Sequence, residues 1–268
     1  MITFLKLGQH GNLGNSMFQL AATYGTAVKK EYKLKIPVSK TYFNPDTNSN
    51  ITSLFDGFDI NLPIITKEDI NLITNQYEET EFNYQSSINN IQDFTNLHGY
   101  FQTEKYFSHV KTDIKNIFKF KDYAIQESNN LFISLNIAPE DTTSIHIRRN
   151  DYIQKQQYHP QQDSSYFFKA AELSRLKQVL IFSDDIEWCK KTFTGKNIYF
   201  SNLTSCFSDL RAMSLCKNNI IVNSTFSWWG AWLNDNKNKK IIAPKKWFGP
   251  AYSHFNTADI LPENWIKI

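Results

Sequence analysis

The chain has 268 residues, a formal net charge of +3 at pH 7, and a composition that is 41% hydrophobic and 21% charged. That is room for one large domain or two ordinary ones, with the balance of a folded globular protein. So mild a charge argues against a nucleic-acid-binding protein, yet it leaves room for a local basic site facing one anionic ligand.

Aromatic residues make up 15% of the chain. Most of them belong in the core, and a few could offer flat apolar faces to sugar rings or bases. Cys189, Cys206 and Cys216 are an odd set without metal-type spacing, which fits reduced thiols and neither a disulfide framework nor a zinc site. The opening MITFLKLGQHGN has too short an apolar run for a signal peptide. No segment approaches the ~18 apolar residues of a membrane span. The expected location is therefore the cytoplasm, and the sequons at Asn50, Asn202 and Asn223 read as chance matches.

Ile2 to Leu7 reads as a strand, followed by glycines 8, 11 and 14 and then by a helical pattern through Met17, Phe18, Leu20, Ala21, Tyr24 and Val28. Lys33 to Val38 reads as the next strand. Thr41 to Asn96 has a weaker pattern, expected to give short helices and loops. Leu97 to Phe107 suggests a strand end running into a helix, and Val110 to Asn130 continues with helical spacing.

Pro139-Glu140-Asp141 is a breaker, after which Thr143 to Ile147 is a β-branched run. Helices are expected over Tyr166–Leu176, Trp188–Phe193, Leu203–Cys216 and Trp228–Leu233. Strands are expected over Gln178–Phe182, Ile198–Phe200, Asn219–Val222 and Lys240–Ala243. Alternation of this kind predicts an α/β fold with parallel sheets covered by helices on both faces. Two such runs, parting near residue 140, predict two doubly wound domains, 1–139 and 140–268.

Ligands of open α/β sheets collect at the carboxyl ends of the strands. Three segments of the second half put polar residues there. His146-Ile147-Arg148-Arg149-Asn150-Asp151-Tyr152 carries two consecutive arginines, whose side chains point to opposite faces in a strand and so do different jobs. One guanidinium suits a pyrophosphate, because its planar fork matches phosphate oxygens bidentately; the plainer reading pairs both with surface carboxylates. Ser183-Asp184-Asp185 ends a hydrophobic strand with carboxylates that fit a ribose diol, the N–H edge of guanine, or the N-cap of the next helix. Asn223-Ser224-Thr225-Phe226-Ser227-Trp228-Trp229-Gly230 leads a buried strand through small hydroxyl residues into a helix, the makings of a metal-free anion site. At least one of the two tryptophans belongs to the core. The Gly8–Asn15 loop lacks the Lys-Ser/Thr ending of a P-loop and reads as a loop facing a cleft between domains.

The blocks G-N-L-G-N-S-M-F-Q-L-A from Gly11, H-G-Y-F-Q-T-E-K-Y-F from His98, H-I-R-R-N-D-Y from His146, F-S-D-D-I-E-W from Phe182 and D-L-R-A-M-S-L-C-K-N-N-I-I-V-N-S-T-F-S-W-W-G-A-W-L from Asp209 span nearly the whole chain. In that order they resemble the α-1,2-fucosyltransferases of glycosyltransferase family 11. Asn150 stands where that family usually has Gly, and Ser16 where Gln is common.

The resemblance implies a GT-B fold, two Rossmann-like doubly wound domains facing a central cleft. The first domain would lie on the acceptor side and the second would bind GDP-fucose. It further implies an inverting, metal-independent transfer with no cofactor, GDP-fucose being a substrate. The acceptor implied is the 2-hydroxyl of a terminal β-galactoside, in an oligosaccharide or lipid-linked glycan assembled at the inner face of a bacterial membrane, with peripheral membrane association compatible. Donor-binding residues would be His146, Asp184, Asp185, Asn223, Ser224, Thr225, Phe226 and Ser227. The acceptor side would be lined by Gly11, Asn12, Gly14, Asn15, Tyr100 and Glu104.

Inversion requires an in-line hydroxyl, stabilised charge on the departing diphosphate, and a destination for the hydroxyl proton. Arg148 or Arg149, with Ser224, Thr225 and Ser227, are the candidates for the second need. Asp151, Glu104 or His10 are candidates for the third, unless a dissociative transition state makes a base unnecessary. Two rivals stand beside this reading: a GT-B transferase using another nucleotide sugar, and a catalytically silent glycan-binding protein, for which a pyrophosphate site would have no use.

Overall fold

The computed structural model describes residues 1–44, 49–175 and 177–268. It divides into two compact units, Met1–Lys119 with Phe255–Pro262, and Phe120–His254 with Glu263–Ile268. The split falls between Lys119 and Phe120, not at the expected 139/140. The helix that precedes residue 139 packs against the later helix Cys206–Leu215, with the Ser208 hydroxyl donating to Glu127 Oε2 at 2.6 Å.

The first unit opens with β1 (Ile2–Thr3), much shorter than the expected strand because the chain turns from Leu5 onward. Helix α1 (Leu13–Lys29) is buried along most of its length and stops at Glu31, which takes a left-handed φ of 56°. Lys33–Val38 forms no continuous strand and contributes only single parallel bridges, Leu34 to Ile2 and Ile36 to Ile64. Between 41 and 96 the expected short helices are present, α2 (Leu54–Gly57) and α3 (Lys67–Asn71). Strands missed there are the antiparallel pair β2 (Tyr42–Asn44) and β3 (Ser49–Ile51), together with β4 (Asn75–Glu78). Residues 45–48 of this stretch lie outside the described residues. Strand β5 (Thr95–His98) completes a parallel sheet in the order β1-β5-β4. After two short 3-10 turns comes α4 (Lys111–Ile117).

In the second unit α5 (Asp122–Leu135) follows. The single helix expected over 110–130 is thus broken where Phe118 and Phe120 turn into the cores. Strand β6 (Thr142–Ile147) is buried at all six positions. It is followed by α6 (Asn150–Gln154), α7 (Ser164–Ser174), β7 (Gln178–Ser183), α8 (Ile186–Thr192), β8 (Ile198–Phe200) and α9 (Cys206–Leu215). Leu176, the expected end of α7, lies outside the described residues. The unit closes with β9 (Asn218–Ile220), α10 (Thr225–Trp232), β10 (Ile241–Ala243) and β11 (Ile266–Lys267).

All pairings in this sheet are parallel, in the order β11-β10-β9-β6-β7-β8. The chain runs outward from β6 to β8, then returns to the other side of β6 and runs outward again to β11. That is a doubly wound sheet whose direction reverses between β6 and β9, where such folds hold their ligands. Ile145, Ile147, Val179, Ile181, Ile220 and Val222 form its core with Phe167 and Ala170 of α7. Strand β9 starts in polar residues and still lies in the core. Its amides are satisfied inside the sheet: Asn219 Nδ2 donates to Ser144 Oγ at 2.7 Å, and Asn218 Nδ2 to Thr143 Oγ1 at 3.3 Å. Among the described residues no helix is long and apolar enough to cross a membrane.

Candidate active site

The C-terminal ends of β6 and β9 flank the reversal point, and each continues into one of the polar segments. Arg148 follows β6. Its Nε contacts Asp151 Oδ1 at 2.8 Å and Asp184 Oδ2 at 3.1 Å, the second carboxylate coming from the end of β7. Burial works against the charged guanidinium, but the two carboxylates outweigh it and raise the Arg148 pKa. Asp184 is pushed up by burial, with Arg148 opposing. Its Oδ1 accepts the Arg149 backbone N–H at 2.9 Å, which fixes the turn after β6.

Arg149 faces the other way. Its guanidinium lies over the Trp188 ring, 3.7 Å from the centroid, and its Nε pairs with Asp185 at 3.1 Å. Asp185 also caps α8 through the Trp188 N–H. The capping reading therefore holds for Asp185, and Asp184 is the carboxylate beside Arg148. Asn150 Nδ2 donates to the Asp184 carbonyl at 2.9 Å.

His146 is buried, and its Nδ1 has no hydrogen-bond partner among the described residues. Burial first, and then Arg148, lower its pKa to about 3, so the ring is neutral. Its neighbour across the reversal is Phe226, with ring centroids 5.4 Å apart.

Helix α10 begins at Thr225, three residues before the expected Trp228. Its cap residue Ser224 makes no side-chain bond to the first-turn N–H groups. A helix start of this kind presents backbone N–H donors suited to an anion, here next to Arg148's strand. Not every predicted hydroxyl is available. The Ser227 hydroxyl is fully buried and donates to the Ser224 carbonyl at 3.1 Å. Asn223 is held by its Nδ2 on the Trp247 carbonyl at 3.0 Å. Both serve the turn itself, while Thr225 and Phe226 remain partly exposed. Trp228 and Trp229 are both fully buried, 5.1 Å apart edge to face, and pack α10 into the core.

Sequence reasoning missed the residues that join the two loops. Tyr152 OH donates to the Asn223 carbonyl at 2.9 Å, and its ring stacks on His159 at 4.8 Å. Gln162 Nε2 reaches Asn223 Oδ1 at 3.4 Å. Tyr152 closes the H-I-R-R-N-D-Y segment, but nothing in its spacing, or in that of His159 and Gln162, announces such contacts.

In the first unit, the two predicted acceptor segments meet. Gln102 Nε2 donates to Asn15 Oδ1 at 3.1 Å. Gly11 has φ +76° and Asn12 caps α1 without a side-chain bond, while Gly14 is buried in that helix. Phe101 is fully buried, and Tyr100 is 39% exposed with its ring stacked on Phe82 at 6.0 Å. Glu104 starts a short 3-10 turn capped by Thr103. Among the described residues no three His, Cys, Asp or Glu side chains come together as a metal site.

A doubly wound sheet with an arginine beside a helix start at its reversal point, following a smaller α/β unit with a parallel sheet, is the GT-B fold. The solved structure of POFUT1 in complex with GDP-fucose shares this fold, with a TM-score of 0.57, 12% identity, and coverage of 90% of this chain and 96% of that one. The chain belongs to glycosyl transferase family 11, whose family model matches residues 4–268. It is 30% identical to the O-antigen biosynthesis glycosyltransferase WbnK of Escherichia coli, covering 96% of this chain and 98% of the relative. It is also 30% identical to an alpha-1,2-colitosyltransferase of Escherichia coli, covering 96% of each. Galactoside alpha-(1,2)-fucosyltransferase 1 of Rattus norvegicus is 23% identical, over 94% of this chain and 72% of that protein.

Proposed function

We propose that this glycosyltransferase moves L-fucose from GDP-fucose, with inversion, to the 2-hydroxyl of a terminal β-galactoside in a surface glycan. The observation that carries the donor half is Arg148, held by Asp151 and Asp184 at the reversal point beside the uncapped start of α10. A guanidinium and helix-terminal N–H groups neutralise charge on a departing diphosphate without a metal or cofactor. Asp151 then acts by orienting the arginine. Asp184 and the neutral His146, whose Nδ1 has no hydrogen-bond partner among the described residues, are suited to the nucleoside. The first unit supplies the acceptor side through the Gly11–Asn15 and Tyr100–Glu104 segments, with the exposed Tyr100 ring offered to a sugar face. The work is done in the cytoplasm, on an acceptor assembled at the inner membrane face.

A second donor is favoured by one observation: the colitosyltransferase relative is more similar than the mammalian fucosyltransferase. Colitose is fucose lacking the 3-hydroxyl, so one contact to that hydroxyl separates the two readings. Incubation with lactose and GDP-fucose, GDP-colitose, GDP-mannose or UDP-galactose in turn decides between them. Transfer of fucose supports the main reading, transfer of colitose alone selects the second, and transfer only from mannose or galactose donors rejects both.

A further inference from the structure

Within the second unit, a closed circuit of contacts surrounds the turn that leads into α10. Tyr152 of α6 is buried and donates its hydroxyl to the Asn223 carbonyl at 2.9 Å. Asn223 Nδ2 in turn donates to the Trp247 carbonyl at 3.0 Å. The next residue, Phe248, sets its ring against His159, with centroids 5.9 Å apart. His159 closes the circuit by stacking on Tyr152, centroids 4.8 Å apart and planes inclined by 15°.

The backbone holds His159 in that slot. The Tyr158 and His159 N–H groups both donate to the Lys155 carbonyl, at 2.9 and 2.8 Å, in a turn after α6. That turn is strapped to the 249–251 segment: Gly249 N–H donates to the Tyr158 carbonyl at 2.8 Å, and Ala251 N–H to the Gln157 carbonyl at 2.9 Å. The approach is so close that a Cβ at Gly249 would overlap the Gln157 carbonyl. Tyr252 adds its ring, edge on, with centroids 6.5 Å apart.

The imidazole acts here by its faces. Its Nδ1 is buried and has no hydrogen-bond partner among the described residues. Burial first lowers its pKa from the ordinary 6.5; Asp151 opposes, and Lys155 and Arg148 add to the fall. A neutral flat ring therefore lies on Tyr152. The helix that carries Tyr152 also carries Asp151, the partner of Arg148 at 2.8 Å. One short helix thus touches the arginine through one residue and the α10 turn through the next.

We propose that His159 is a positioning residue of the donor site: its ring keeps Tyr152 where the hydroxyl anchors the Asn223 turn, and so sets the start of α10 relative to Arg148. This rests on the donor reading above, in which a nucleoside diphosphate meets both. With the slot emptied, the Tyr152 ring can pivot and its hydroxyl leaves the carbonyl. The diphosphate then has to order the turn as it binds, and affinity falls by that cost.

The test is GDP binding to the full chain by calorimetry at neutral pH, well below the unfolding temperature, with thermal unfolding recorded separately. His159→Ala should bind GDP more than about threefold more weakly than wild type, the scale of one neutral hydrogen bond. His159→Phe, which returns a flat ring to the slot, should recover affinity to within about threefold of wild type. Tyr152→Phe keeps the stack and loses the hydroxyl, so it should weaken binding as His159→Ala does. Adding His159→Ala to Tyr152→Phe should then cost less than about threefold more, because both act through the same hydroxyl.

Folded His159→Ala that binds GDP within about threefold of wild type overturns the proposal, even if it unfolds at a lower temperature. So does a His159→Phe variant that fails to recover, or a double variant whose losses multiply. If His159→Ala does not fold, His159→Leu, which fills the slot without a flat ring, is read by the same criteria. A wild-type protein that binds no GDP defeats the donor reading itself, whereas equal binding by wild type and His159→Ala defeats only the role of His159.

Discussion

The Arg149 guanidinium lies 3.7 Å from the centroid of the Trp188 ring, while its neighbour Arg148 is held between Asp151 and Asp184. Two adjacent arginines of one motif thus have separate work. Arg148→Ala should cost transfer by about 10²–10³-fold in kcat/KM, the scale of one lost donor to developing charge. Arg148→Lys should not restore it, since a point charge lacks the fork. Arg149→Ala should instead lower stability by about 0.5–2 kcal/mol through the lost stacking on Trp188. Steady-state kinetics and urea unfolding of both variants check this; equal kinetic losses would erase the distinction.

Activity should persist in excess EDTA. In the proposed reading the phosphate meets the Arg148 guanidinium and the N–H groups at the start of α10, donors able to stabilise a leaving diphosphate without a cation. Loss of turnover on chelation, restored by Mn²⁺ or Mg²⁺, would contradict this account.

Asp209 predicts a pH dependence of stability. Burial raises its pKa to about 7 against an ordinary 3.8, with the Ser201 hydroxyl, 2.6 Å away, opposing the shift. Below pH 3.8 it is protonated in both states. Between there and about pH 7 the unfolded chain gives up a proton that the fold retains, so stability falls as pH rises, by up to about 1.4 kcal/mol per pH unit. Above that window the penalty is constant. Glu79, also near 7, adds a slope of the same sign. Asp209→Asn should therefore gain on wild type as pH rises from 4.5 to 7, a range inside that window, and hold its gain above it. Thermal unfolding across that range measures it; a pH-independent difference would contradict the burial argument.

Gly25 predicts a steric failure. By helix propensity alone, Gly→Ala within α1 should stabilise by about 1 kcal/mol. A Cβ there, however, would overlap the Tyr106 carbonyl and lie 2.9 Å from Phe107 Cα. Those are backbone atoms that cannot rotate away, so Gly25→Ala should destabilise by about 1–3 kcal/mol. Urea unfolding gives the sign.

The linkage of the product is decided by NMR after reaction with lactose. The expected product carries the sugar α-1,2 on galactose. Attachment at the 3-, 4- or 6-hydroxyl would show that the donor motifs persist while the acceptor side has diverged.

The second unit was legible in the sequence because its strands are buried on both faces. Runs such as Val179–Phe182 announce themselves as apolar stretches between helical periods. The H-x-R-R and N-S-T-F-S-W-W motifs could likewise be placed at strand ends before any coordinates. The first unit was less legible. Its strands run two to four residues, and β4 alternates partly buried with exposed side chains too briefly to make a pattern.

Tertiary structure alone decided the rest. Residue order could not say that Arg149 would stack on Trp188, since both orientations of the pair satisfy the alternation of a strand. Nor could it say that Asp185 would cap a helix while Asp184 turned to Arg148. The meeting of the His10 and His98 rings is beyond any local pattern, because the two residues lie 88 positions apart. Sequence fixes local conformation through nearby sterics and burial. The partner of a charge depends on side chains that meet only when distant strands are laid side by side.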